Sequence, residues 1–312
     1  MILAGAMIVI AALAGCQTPD PGATRAPVHE GAAARGSPTR EALEGATYDG
    51  IEVAGGPVTL AHGRWEGKPF AEGSASRPVV ILLEGFELTG DLQGDGLQEA
   101  VVLLSANAGG SGDFLQLAVV GGTDDPLRSI HTAPIGDRAW IRSARIQGGR
   151  VILDVVQAGP ADASCCPGDL VTRTWELKDG QLAEAPPVAA GRLSPQSFAG
   201  TEWVLERWNE DEAAPGDPRV SLRLEDGRLA GSSGCNNYVS QVKAGHLPGA
   251  LALGPVAGTK KTCAGAAMET EDRFLRQLGG VKSFRFVLGR LGLEYELAGN
   301  SGTMLFRAQP QS

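Results

Sequence analysis

The residues of this sequence best equipped for chemistry are its cysteines and one acidic loop. Cys165 and Cys166 are adjacent and precede Pro167, Cys235 and Cys263 stand 28 positions apart (263 − 235), and Cys16 closes an apolar run. Adjacent thiols suit redox exchange or soft-metal ligation, and the competing reading is an inert structural pair. The stretch from Asp91 through Gln93 and Asp95 to Glu99 partly matches a calcium loop. It has carboxylates at loop positions one, five and nine and a turn glycine, Gly96, at six. Gln93 at position three is a weaker ligand, and Val102 stands where the loop wants a bidentate glutamate. The alternative is an acidic turn between strands, with Gly94 and Gly96 supplying positive φ.

Other constellations are thinner. Asn107 to Phe114 is glycine-rich but lacks the Lys-Ser/Thr of a phosphate loop, so it is a hairpin. Asp137-Arg138 is a structural charge pair. His62, His131 and His246 show no ligand spacing, and His29 is solvated. Met268 with Glu269 and Glu271 has helical spacing and no nucleophile or histidine nearby in sequence, which predicts a solvated acidic helix face. The nucleophile elbow Gly-x-Ser-x-Gly is absent from the sequence, so no catalytic residue is assigned and a non-enzyme is expected.

The elements that must carry these residues follow from composition. The chain has 312 residues, 43% hydrophobic and 20% charged, enough for two globular domains. Gly 44, Pro 19 and only 5% aromatics favour short strands and many turns over long helices. A net charge of -9 argues against a nucleic-acid partner and gives no electrostatic pull towards an anionic membrane.

Met1 to Ala14 is apolar but too short to span a bilayer, and Leu13-Ala-Gly-Cys16 follows. This tetrapeptide resembles the lipobox of bacterial lipoproteins. The resemblance implies removal of residues 1–15, acylation of Cys16 and a stable anchor of several acyl chains. Gln17 in place of an aspartate leans towards the outer membrane, facing the periplasm. No Lys or Arg precedes the apolar run, which points to a start codon upstream. Residues 16–46 are Pro-, Gly- and Ala-rich and are expected to be a disordered tether.

Residues 47–187 show short alternating apolar runs: 79–83, 84–88, 99–104, 115–120, 141–146, 151–156 and 172–177. Gly148-Gly149 and Asp179-Gly180 are tight-turn signals. These predict an all-β antiparallel domain without a helix. From 198 to 308, Phe284, Phe286 and Leu288 alternate with polar residues, as do Val220, Leu222 and Leu224, and Leu293, Tyr295 and Leu297. Ala264, Ala267, Met268, Phe274, Leu275 and Leu278 make one apolar helix face, so the whole reads as mainly β, or α+β.

This second region resembles the META (HslJ-like) domain of bacterial envelope lipoproteins. The resemblance rests on Gly200-Thr-Glu-Trp203, Gly231-Ser-Ser-Gly-Cys235-Asn-Asn-Tyr238, Thr259-Lys-Lys-Thr-Cys263, Met268-Glu-Thr-Glu271 and Phe274-Leu275. It implies a bent antiparallel sheet wrapped round one helix and a Cys235–Cys263 disulfide, which leaves Cys165 and Cys166 as a candidate vicinal thiol pair. It also implies a non-enzymatic role in outer-membrane integrity or stress tolerance, with an envelope protein as partner. The alternative is a carrier of lipid or another apolar ligand in the cleft of the META sheet. No cofactor is expected beyond the weak calcium candidate.

Overall fold

The computed structural model describes residues 36–122, 126–163, 165–209 and 211–309. The apolar leader, Cys16 and most of the expected tether lie outside the described residues.

The first sheet is built from β1 (Thr47–Tyr48), β2 (Val58–Thr59), β3 (Arg64–Glu66), β4 (Val79–Gly90), β5 (Glu99–Asn107), β6 (Phe114–Gly121) and β7 (Arg128–Asp137). Among the described residues its order is β2-β1-β7-β6-β5-β4-β3. All pairs are antiparallel except the single parallel contact of β1 with β7, Thr47 opposite Arg128. Both faces of β5 are covered, so it reads as a continuous apolar run instead of an alternating one. Val101 and Leu103 face one core, while Ala100, Val102 and Leu104 face another.

That second core is closed by α1 (Arg40–Glu44), whose Leu43 is fully buried beside Tyr48, Ile51 and Val58. Thr39 caps the helix, its hydroxyl accepting from the Ala42 N–H at 3.2 Å. α1 is therefore part of the folded region, although it lies inside the stretch 16–46 read as tether and before the expected boundary at 47. A five-residue helix carries too short a pattern to register as periodicity.

A second sheet packs across the first core. It contains β8 (Trp140–Gln147), β9 (Arg150–Gln157), β10 (Asp169–Lys178) and β11 (Gln181–Glu184) in the order β11-β10-β9-β8, with β12 (Val188–Arg192) also on β10. Ile141, Leu153 and fully buried Trp175 meet Phe86, Leu103 and Leu117 of the first sheet. The turns fall where the sequence placed them, with positive φ at Gly148, Gly149, Asp179 and Gly180. β12 carries the region past the expected limit of 187.

The third sheet contains β13 (Trp203–Arg207), β14 (Ser221–Glu225), β15 (Arg228–Ser232), β16 (Asn237–Ala244), β17 (Leu251–Leu253), β18 (Ala257–Gly258), β19 (Val281–Val287), β20 (Arg290–Leu297) and β21 (Asn300–Ala308). Its order is β17-β16-β15-β14-β13-β21-β20-β19, with β18 on β16. The sheet bends until its ends meet: Ala250 bridges Ser283, and the Phe284 N–H donates to the Gly249 carbonyl at 2.8 Å. Helix α2 (Gly265–Gly279) contributes Phe274 and Leu278 to the interior, both fully buried. Leu222, Tyr238, Phe284, Leu291, Met304 and Phe306 fill the rest. This is the mainly β architecture the alternation predicted.

Leu288 departs from the expected strand. It sits in the β19–β20 turn at φ 49 and packs on the core between the first two sheets. The same turn donates the Gly289 N–H to the Ile141 carbonyl at 2.9 Å, and Arg142 lies over the Phe286 ring. The third sheet is thus docked along β8.

Candidate functional site

The polar signature of the third sheet converges on Glu271. The segment 232–237 turns between β15 and β16, and α2 runs past it so that Glu271, in the second turn, points into the loop. Its carboxylate accepts from the Ser233 hydroxyl, from the Asn236 N–H at 2.7 Å and from the Asn236 side-chain amide at 2.9 Å. Burial pushes the Glu271 carboxyl up, but these bonds and one from the Cys235 N–H outweigh it, and the net direction is down. The expected solvated acidic face is therefore wrong for Glu271, which is buried. Helical spacing alone does not say which glutamate meets a neighbouring loop.

Asn236 spreads the contact further. Its amide oxygen accepts from the Thr259 hydroxyl and the Lys261 N–H, both at 2.7 Å, and its amide nitrogen donates to the Lys261 carbonyl at 3.1 Å. Cys235 and Cys263 are joined by a disulfide across the same two segments. Together these groups tie α2, the 232–237 turn and the 259–263 segment into one latch. Chemically it is closed: each polar group is engaged by another part of the fold. Gly231 is required by packing alone, because a Cβ there would lie 2.0 Å from the Ser221 carbonyl oxygen.

The acidic loop folds as a turn in which the carboxylates of the calcium candidate accept from the loop's own N–H groups. Asp91 accepts from the Gly94 and Gly96 N–H groups at 2.6 and 2.9 Å, and Asp95 from the Leu97 N–H at 2.9 Å. Buried Glu99 accepts from the Leu92 N–H at 2.7 Å and from the Gln93 amide at 3.1 Å. The three carboxylates thus serve the loop's own donors, the Gln93 amide among them. Among the described residues no three His, Cys, Asp or Glu side chains gather as metal ligands.

The adjacent cysteines sit at the tip of the β9–β10 connection. Cys165 is exposed, Cys166 half-buried, and the two are disulfide-bonded. Below them Asp162 accepts from the Gly159 and Gly168 N–H groups at 2.8 and 2.9 Å, and the Arg192 guanidinium of β12 clasps its carboxylate. Arg192, with the two amides, holds the Asp162 carboxyl down at about 2. Arg192 also pairs with Asp169. Nothing in the sequence pattern pointed to this clamp, whose halves lie 30 positions apart.

Sequence reasoning also missed an open groove of about 660 Å³ between β7 and β10–β11, walled by Ile135, Ala139, Ala158 and Pro186. Arg173 forms its floor. Its guanidinium makes a two-point pair with Glu184 at 2.6 and 2.8 Å, donates to the Ile135 and Pro134 carbonyls, and lies 4.9 Å over the Trp175 ring. The Asp137–Arg138 pair at its rim is structural, with Asp137 also accepting from the Asp113 N–H at 2.9 Å. Among the described residues, the interior of the third sheet is filled by aromatic and aliphatic side chains and by α2.

A bent nine-stranded sheet latched to one helix defines a small β-barrel-like scaffold. Residues 196–310 match the META domain family, and the C-terminal third of the chain is a META domain. No curated protein matches the chain. Among solved structures it is similar to one described as the NMR structure of the protein from Burkholderia xenovorans. Identity is 22%, covering 41% of this chain and 96% of that chain, with a TM-score of 0.30.

Proposed function

We propose that this protein is a lipid-anchored, non-enzymatic envelope lipoprotein that serves as a binding or interaction module, with its anchor at Cys16 in the outer membrane. The observation that carries the reading is the contrast between its two polar centres. The META signature is consumed in an internal latch, whereas the Arg173–Glu184 groove opens outward with apolar walls and satisfied charges. A groove of this kind suits an apolar or extended segment of an envelope partner. The lipobox-like Leu13–Cys16 supports the anchor.

Two measurements test it. Replacing Cys16 with serine should abolish incorporation of labelled palmitate and move the protein out of the membrane pellet; unchanged fractionation would sink the anchor. A photo-crosslinking residue at Ala185, in the groove, should capture an envelope component that the same residue at Asp226, on the β14–β15 turn, does not. Equal capture at both positions, or none at Ala185, would remove the interaction reading.

A further inference from the structure

The two disulfides differ in what they constrain. Cys235–Cys263 closes a stretch of 28 residues, whereas Cys165–Cys166 joins neighbours. In the chain-entropy account a cross-link stabilises according to the loop it closes, so a bond between adjacent residues holds almost nothing. The loop beneath it is already held. The Asp162 side chain, 4% exposed, ties both ends through Gly159 and Gly168 and is locked by Arg192. The Cys166 N–H donates to the Ala163 carbonyl at 2.9 Å, and the Leu193 N–H to the Gly168 carbonyl at 2.8 Å. Pro167 and Gly168 are buried. A disulfide that is exposed and unneeded for the loop's shape belongs to the labile, exchangeable class.

We propose that Cys165 and Cys166 form a redox-active pair that exchanges two electrons with an external dithiol, on a loop whose shape is kept by the Asp162–Arg192 clamp in both states. A thiolate of the external dithiol attacks the exposed Cys165 Sγ. The bond to Cys166 Sγ breaks, and Cys166 leaves as a thiolate that takes a proton from water. The second thiol of the donor, deprotonated, attacks the mixed disulfide, and Cys165 leaves as a thiolate and is protonated in turn. The pair gains two electrons and two protons, and the donor departs as a disulfide. The clamp supplies what reversible exchange needs, since the loop does not have to refold on each cycle.

The test is a dithiothreitol titration of the full-length oxidised protein, followed by maleimide labelling and peptide mass analysis. Cys165 and Cys166 should become labelled at about a tenfold lower reductant concentration than Cys235 and Cys263, with the melting temperature unchanged. Labelling of both pairs together, unfolding when the first pair opens, or free Cys165 and Cys166 thiols in the oxidised protein would overturn the proposal. A second readout uses single variants. Cys166→Ser, which leaves Cys165, should form a mixed disulfide with oxidised glutathione about tenfold faster than Cys165→Ser, which leaves the half-buried Cys166. Equal or reversed rates would overturn Cys165 as the attacked sulfur.

Discussion

Replacing Glu271 with glutamine keeps its volume but removes the charge on which the Ser233 hydroxyl, the Asn236 side chain and the loop amides converge. One side-chain oxygen becomes an amide nitrogen facing donors, so the variant should lose about 2 kcal/mol at neutral pH. The folded carboxyl is held below its unfolded value. Its contribution is therefore complete above about pH 4.3 and fades as pH falls through the lower folded value. Thermal melts at pH 7 and pH 3 check this: the gap between wild type and Glu271→Gln should be smaller at the second than at the first. At the groove, Arg173→Leu removes the two-point pair with Glu184 and the bonds to two carbonyls and should cost about 2 kcal/mol, read as an earlier urea midpoint. The signature cysteines and Asn236 stood out in the sequence by type. Arg173 and Asp162 did not, because an ordinary charged residue acquires its meaning from partners brought by other strands.

Elements show a different balance. Strands bounded by Gly148-Gly149 and Asp179-Gly180 were legible because alternation and turn chemistry agree there. β7 was not: Pro134 and His131 interrupt its pattern, and the strand tolerates Pro134 at a register shift beside Gln116. Helix α2 was legible, but its burial was not, since Ala264 is exposed while Glu271 and Gln277 are buried. Two predictions belong to this scale. Gly231→Ala drives a methyl into the backbone of β14 and should cost more than about 3 kcal/mol, seen as loss of soluble, cooperatively melting protein. Cys235→Ser removes the cross-link over 28 residues and should lower stability by about 3.5 kcal/mol, measured by denaturant unfolding against the oxidised wild type.

For the whole molecule, the docking of the META domain along β8 matters most. Trp140 packs on the META core, Leu288 packs on the core of the other sheets, and the Gly289 N–H reaches the Ile141 carbonyl. This exchange of side chains should make the chain melt in one calorimetric transition. Trp140→Ala should broaden or split it, and two transitions already in the wild type would show that the docking is weak. None of this was legible in the sequence, which gives two regions, 47–187 and 198–308, and no residue pattern that joins them.

The sheet order of the META domain has a consequence in time. β13 opens the domain and pairs with β21, Leu205 opposite Phe306, a separation of 101 residues (306 − 205). A chain emerging amino end first leaves one edge of β13 uncovered, with Trp203 and Leu205 unburied, until the last strand has followed. Contacts this distant in sequence cannot form before synthesis has supplied both partners, and they make folding slower than local contacts would. The domain's first strand is thus the one that waits longest for its neighbour, and that interval is when the nascent protein most needs a holding chaperone.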